Sequence, residues 1–282
     1  MYYLQNDCMK VSILDPVADV ALLGSRYVTG GYIWQITGAD GVELLSGPDY
    51  PNTAPDPFLG QGLPEAFETA LGATEAAVGG ELLVIGVGKV QRATAAPYHP
   101  RNSPTVSEFA RWDITVDDCQ ISMQTTQRFK EYMLTISREV MLQDNKLHSV
   151  THVWNVGNSD LPIRWFPHPF FPHPADQQFC KFAPAVTLPE NPGYALNEGM
   201  ICGKAGYDWS KGGCFQQLVV PENTGLTTTF LHPHVGQIKM TADYPVTELP
   251  IWGNHITFSA EPYLNETISP GAMLGWSLGY NW

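Results

Sequence analysis

The segment "EYMLTISREVMLQ" alternates in character with a step of two. Tyr132, Leu134, Ile136, Val140 and Leu142 fall on one side, and Met133, Thr135, Ser137, Glu139 and Met141 on the other. An alternation held this long sets one face against a core and leaves the other half-exposed, as in an antiparallel strand of a layered sheet. The turn-forming "QDNK", Gln143 to Lys146, follows, and "LHSVTHVWNV" then reads as the hairpin partner. Shorter runs of the same kind recur along the chain: "VALLGSRYV", "GYIWQITG", "CQISMQTTQRF", "CFQQLVV", "LTTTFLHP", "GQIKMTA", "NHITFSAEPY" and "AMLGWSLGYNW". Each is rich in β-branched and aromatic residues and bounded by Gly, Pro, Asn or Asp, which points to an all-β protein of packed antiparallel sheets. Helix is expected only in one or two short pieces, the best candidate being Leu63 to Ala77, where Pro64 suits a first turn. With 44% hydrophobic residues, no internal repeat and no linker-like stretch, the 282 residues read as one β-sandwich domain, 1–282.

The charge balance narrows the partners. A formal net charge of −13 opposes nucleic acid and anionic membrane surfaces, both of which attract basic footprints. The opening "MYYLQNDCMK" lacks the basic-then-apolar pattern of a secretory leader, and no apolar run approaches the roughly 18–20 residues of a membrane span. Five scattered cysteines, odd in number and without a C-x-x-C, suggest neither a disulfide framework nor a zinc site and fit a reduced, cytoplasmic location.

Several chemistries can be weighed on particular residues. "IGVGKV", Ile85 to Val90, lacks the first glycine and the final Ser or Thr of a phosphate loop, with Leu83 and Val90 in those places, and reads better as a glycine-kinked strand. His232 and His234, two apart in "HPH", would share a face of a strand and could contribute to a metal site, or be polar histidines of a loop. No G-x-S-x-G announces a nucleophile. Acid–base chemistry remains. "WFPHPFFPHP", Trp165 to Pro174, crowds two histidines and four aromatics among four prolines that cannot donate to a ladder, as at the rim of a pocket. Glu261 stands at the end of an apolar run, just before Pro262, where a carboxylate either caps a turn or looks into a pocket. His168 is either a hydrogen-bonded core imidazole or, with Glu261, half of an acid–base pair.

These residues resemble the aldose 1-epimerase (galactose mutarotase-like) superfamily. "VTHVWNVGNSDLPIRWFPHPFF" is similar to that family's strand, Gly-containing turn and "H-x-[YF]-F" element, with Asn155, Gly157, His168, Phe170 and Phe171 in the matching places. "FSAEPYLNETISPGAMLGWSLGYNW" resembles its closing segment through Glu261, Pro270, Gly271, Tyr280 and Trp282, and "GQGLPEAF…IGVGKV…APYHP" is similar more loosely. The likeness extends from about Val20 to the end, and departs from the pattern where Pro172 stands in place of an Asn. It implies a β-supersandwich and an enzyme that interconverts the α and β anomers of a free or phosphorylated sugar without a cofactor. Glu261 would take the anomeric hydroxyl proton while His168 protonates the ring oxygen. The family's second histidine would be His99, its arginine Arg92 or Arg101, and its hydroxyl-binding aspartate Asp208. Trp165, Phe170 and Phe171 would back His168 or floor the sugar site. Two other readings stay open on the same scaffold: a carbohydrate-binding protein without turnover, and a lyase or isomerase with a metal at His232 and His234. The expected partner is a small sugar, and the sequence sets no oligomeric state.

Overall fold

The computed structural model describes residues 1–221 and 224–282. Its backbone is a ten-stranded antiparallel sheet onto which smaller sheets pack. In spatial order the large sheet runs Tyr194–Asn197, Met200–Gly203, Gln178–Ala183, Leu226–His232, Gly236–Ala242, Met273–Asn281, Lys146–Asn155, Tyr132–Gln143, Gln120–Phe129 and Asp113–Val116. The hairpin read from the alternation is present, with Gln143 paired to Lys146 at its tip and Leu134 to Asn155 at its far end. Leu134, Ile136, Val140 and Leu142 are buried, as the period of two requires.

Two small sheets form the second layer opposite this face. One holds Leu264–Ile268, Leu161–Pro167 and Glu65–Phe67; the other holds Phe171–Pro172, Thr257–Ala260, Leu249–Gly253 and Cys214–Leu218. Aromatic contacts close the sandwich. Trp165 and Phe67 of the first small sheet meet Trp276 of the large one at ring separations of 5.1 and 6.1 Å. Phe171 and Phe258 of the second meet Phe230 at 4.5 and 5.9 Å. Burial of such large side chains, each worth about 1.5–3 kcal/mol, is the main force holding the layers together.

One polar link crosses the same interface. Arg138 occupies the apolar face of its strand between Ile136 and Val140 and is 2% exposed. It forms a two-pronged ion pair with Glu65 of the small sheet, the Nη2–Oε1 arm measuring 2.7 Å, and Ser149 Oγ donates to the same carboxylate at 2.8 Å. A buried charge is tolerated only when paired and hydrogen-bonded in this way.

Three sequence expectations need correction. Leu63 to Ala77 is not a helix: Glu65–Phe67 and Ala70–Leu71 are strands, and the remainder is turn. Glu65, Ala66 and Phe67 are all buried and pair with Trp165, Phe166 and Pro167, so sheet pairing overrides local helix preference. "VALLGSRYV" is not a strand but a single 3-10 turn, Val20–Leu22, followed by an irregular segment tied down by the Val28 amide donating to Glu65 O. "IGVGKV", Ile85 to Val90, is not one kinked strand but the loop and second strand of a hairpin: Val84 pairs with Gly88, and Gly86 adopts φ +73° in the loop between them. Among the described residues, helix is confined to this 3-10 turn and two others, Pro100–Asn102 and Trp209–Lys211, and none is long and apolar enough to cross a membrane.

Candidate active site

The chain changes sheets at His168. Leu161–Pro167 pairs in one small sheet, Phe171–Pro172 in the other, and His168 lies between them outside either ladder. Prolines at 167, 169 and 172 contribute no donors. The amides that do exist find partners: His168 donates to Pro64 O and Phe170 to Gly62 O, both at 2.8 Å. The imidazole is thus fixed by backbone bonds on either side while its ring is free of sheet alternation. Glu261 arrives from the neighbouring strand, Thr257–Ala260, at its last step before Pro262, and its amide donates to Pro250 O at 2.9 Å.

These two segments bring His168 Nε2 to 3.4 Å from Glu261 Oε1. That separation exceeds a good hydrogen bond, so the groups face one another without being locked together. The other ring nitrogen, Nδ1, lies 2.9 Å from Ser259 Oγ. A hydroxyl can donate or accept, so Ser259 satisfies Nδ1 whether or not it carries a proton. His168 and Glu261 are 4% and 5% exposed. Burial pushes the Glu261 carboxyl up to about 8, a rise moderated by the Arg26 guanidinium and reinforced by Glu68. Burial, helped by Arg26, pushes His168 well below the usual imidazole range. Over the interval between, the pair holds one proton. Moving that proton from carboxyl to imidazole converts a neutral couple into carboxylate and imidazolium, so the pair can give a proton at one atom and receive one at another.

Both groups open onto a cavity of about 320 Å³ lined also by Arg26, Pro48, Phe58, Leu59, Glu68, His99, Arg101, Phe166, Phe170, Phe215, Trp252 and Tyr263. Its walls are largely aromatic. Phe170 lies 4.2 Å from the His168 ring, Trp252 6.2 Å, and Phe166 stacks on Tyr263 at 4.5 Å. A few polar groups amid aromatic surface is the usual make-up of a small-molecule site.

Of the residues singled out from the sequence, His168, Glu261, His99, Arg101 and Phe170 lie together here. Four others do not line the cavity. Arg92 spends its guanidinium on backbone carbonyls of Ala73, Ala76, Thr94, Ala95 and Ala96, stitching loops together. Asp208 is the N-cap of the 3-10 turn Trp209–Lys211, accepting from the Ser210 amide at 3.1 Å, and it pairs with Lys211. Trp165 is fully buried against Trp276 and Tyr244 in the sandwich core. Phe171 likewise packs into the core rather than flooring the pocket. Arg26, Phe58, Glu68, Trp252 and Tyr263 were not anticipated. The only sequence signal for Arg26 is its isolation as a charge within an apolar run.

Of the histidine pair considered for metal, His232 is otherwise employed. His232 Nε2–H donates to Leu44 O at 2.9 Å, and its Nδ1 accepts from the His234 and Val235 amides at 3.2 and 3.3 Å. One nitrogen of His232 holds a turn and the other ties it to Leu44, distant in the chain, which leaves no lone pair on His232 for a metal. Among the described residues no group of three His, Cys, Asp or Glu is placed to hold an ion.

The architecture aligns over almost its whole length with solved structures. A galactose mutarotase related enzyme from Lactobacillus acidophilus superposes with a TM-score of 0.60, at 11% identity, over 99% of this chain and 96% of that one. A galactose mutarotase-like protein from Lactobacillus casei ATCC 334 gives 0.56 at 14% identity, over 100% and 99%. The fold is that of the galactose mutarotase-like proteins. The Slr1438 protein from Synechocystis sp. PCC 6803 has it too, with a TM-score of 0.60 at 14% identity over 99% and 94%. The sequence itself matches no family model and no curated protein. A shared fold does not fix the chemistry, which rests on the side chains that line the cavity.

Proposed function

We propose that the protein is an aldose 1-epimerase-type isomerase, interconverting sugar anomers through ring opening at the Glu261–His168 pair. The observation that carries this reading is a buried carboxyl and imidazole facing each other at 3.4 Å on the floor of an aromatic cavity. With the shared proton moved to His168 Nε2, the Glu261 carboxylate takes the proton of the anomeric hydroxyl. The O1 lone pair becomes the C1=O1 bond, the C1–O5 bond breaks, and O5 receives a proton from His168 Nε2. Rotation about C1–C2 presents the other carbonyl face, and the same transfers in reverse close the ring as the other anomer. One proton leaves the sugar and one returns, so the pair ends as it began and nothing else is consumed. Nδ1 keeps its proton throughout and donates it to Ser259 Oγ, so only Nε2 changes state during the cycle. A correctly placed general acid and base contribute about 10²–10⁴-fold each, ample for a reaction that water already performs.

The test is polarimetry of freshly dissolved glucose and galactose with wild type and Glu261→Gln. Acceleration by wild type that the substitution removes supports both reaction and residue. Rates equal to buffer with both sugars and with their 6-phosphates would leave the pocket as a carbohydrate-binding site without turnover.

A further inference from the structure

The cavity has a cationic end that no carboxylate answers. Three other arginines are engaged, Arg138 by Glu65, Arg164 by Glu68 and Glu248, and Arg92 by five carbonyls, while Arg111 and Arg128 are exposed and line a different cavity. Arg26 donates once, from Nη1 to Phe58 O at 3.1 Å. Among the described residues neither guanidinium forms an ion pair, and that of Arg101 has no hydrogen-bond acceptor. Both cations rest against one ring, with Arg26 Cζ 4.6 Å and Arg101 Cζ 4.3 Å from the centre of Phe58. Acidic residues outnumber basic ones by 28 to 15 in this chain, so two guanidiniums without a carboxylate on a single phenyl ring run against its composition. Of the two carboxylates that line the cavity, Glu68 is bonded to Arg164 and Tyr263, and Glu261 is held neutral by burial.

A third donor stands beside them. His99 packs 6.0 Å from the Phe58 ring, and its Nδ1 accepts from the Arg101 amide at 3.2 Å, which leaves the proton of a neutral ring on Nε2. Burial and the two guanidiniums hold this histidine below its usual range, so it serves as a neutral donor. The arrangement is also connected to the chemistry. Arg26 Cζ lies 4.8 Å from the Tyr27 ring, and Tyr27 packs 6.3 Å from His168. Positive charge therefore begins next to the proton-transfer pair and extends to the exposed Arg101 at the rim. Guanidinium forks match the oxygens of phosphate and carboxylate, and two of them with an imidazole N–H make a complete anion cradle.

From this we infer that the pocket takes an anionic sugar, an aldose bearing a phosphate ester or a carboxylate, with its charged group between Arg26, Arg101 and His99 and its anomeric carbon at Glu261 and His168. The inference rests on the anomer-exchange reading for its chemistry, but the cradle can be tested without it. Exchange is followed by magnetisation-transfer NMR on glucose, glucose 6-phosphate and glucuronate at matched ionic strength, with wild type and Arg101→Gln. Thermal shift with the same three sugars reports binding without turnover. Arg101 is exposed, so its substitution leaves the fold intact.

Wild type should favour one anionic sugar over glucose by about tenfold or more in kcat/KM, and Arg101→Gln should erase about tenfold of that preference. Preference for the 6-phosphate identifies a phosphate ester, and preference for glucuronate a carboxylate. If glucose exchanges as fast as both and the ratio ignores Arg101→Gln, the anion cradle is refuted while the isomerase stands. Should no sugar exchange, yet an anionic one raise Tm in wild type and not in Arg101→Gln, the cradle stands and the isomerase reading falls. Neither exchange nor shift overturns both.

Discussion

Replacing Glu261 by Gln should make the protein more stable, and increasingly so as pH rises. The carboxyl has a folded pKa of about 8 because it is buried, against 4.5 when unfolded. The native state therefore keeps a proton that the unfolded chain gives up, so stability falls as pH climbs from the unfolded value through the folded one. Each unit of displacement is about 1.4 kcal/mol, so the site lowers stability by about 2 kcal/mol near pH 6 and about 4 kcal/mol near pH 8. Glutamine keeps the shape and a neutral donor toward His168 but does not titrate. Any packing cost of the substitution is the same at both values and cancels in the difference. Urea denaturation of both proteins near pH 6 and pH 8, safely above the pI of about 4.9, should show the advantage of Glu261→Gln growing by about 2 kcal/mol. An advantage that stays constant would mean an ordinary carboxyl. One that shrinks with pH would mean that the folded wild type holds fewer protons than the variant, and the reasoning from burial would be wrong.

The same proton count fixes the pH profile. The reactive state is the pair with one proton, wherever it sits, so kcat/KM should be level through neutrality and fall about tenfold per unit above about pH 8; a profile that rises there refutes it. Arg138→Met alone should cost about 3–5 kcal/mol in urea denaturation by stranding Glu65, while Arg138→Met combined with Glu65→Leu should recover most of it; equal losses would show that packing, not charge, matters there. Trp165→Phe should lower Tm and leave sugar KM alone, because its ring is sealed in the core, whereas Trp252→Ala should raise KM several-fold; a shifted KM in the first would return Trp165 to the site.

The layered β architecture was legible because period-two alternation is a local property: each strand displays its buried face in a dozen residues. What the sequence hid depended on partners far along the chain. Arg138 sits on the apolar face of the best strand, and only Glu65, 73 residues away, explains it. The stretch from Leu63 looked helical because its pairing partners, Trp165 to Pro167, are about a hundred residues distant. Arg92 and Asp208 are a different case: near neighbours consume them, the Thr94, Ala95 and Ala96 carbonyls and the Ser210 amide, and residue identity alone does not show that a backbone group will take a charge.

The site was readable for a different reason. His168 lies between Pro167 and Pro169, Glu261 precedes Pro262, His99 precedes Pro100, and Phe58 follows Pro57. A proline withholds a ladder donor, so the chain leaves its sheet there, and the side chain beside it is released from strict alternation. Such positions are where a sandwich can turn polar and aromatic groups toward a cavity instead of a core or solvent. Trp165, within the same proline-rich run but still inside the ladder opposite Phe67, obeys the alternation and is buried. Three residues on, past Pro167, His168 does not, and its ring faces Glu261. The punctuation of the ladder, more than any one residue type, separates the core aromatics of this segment from those that line its pocket.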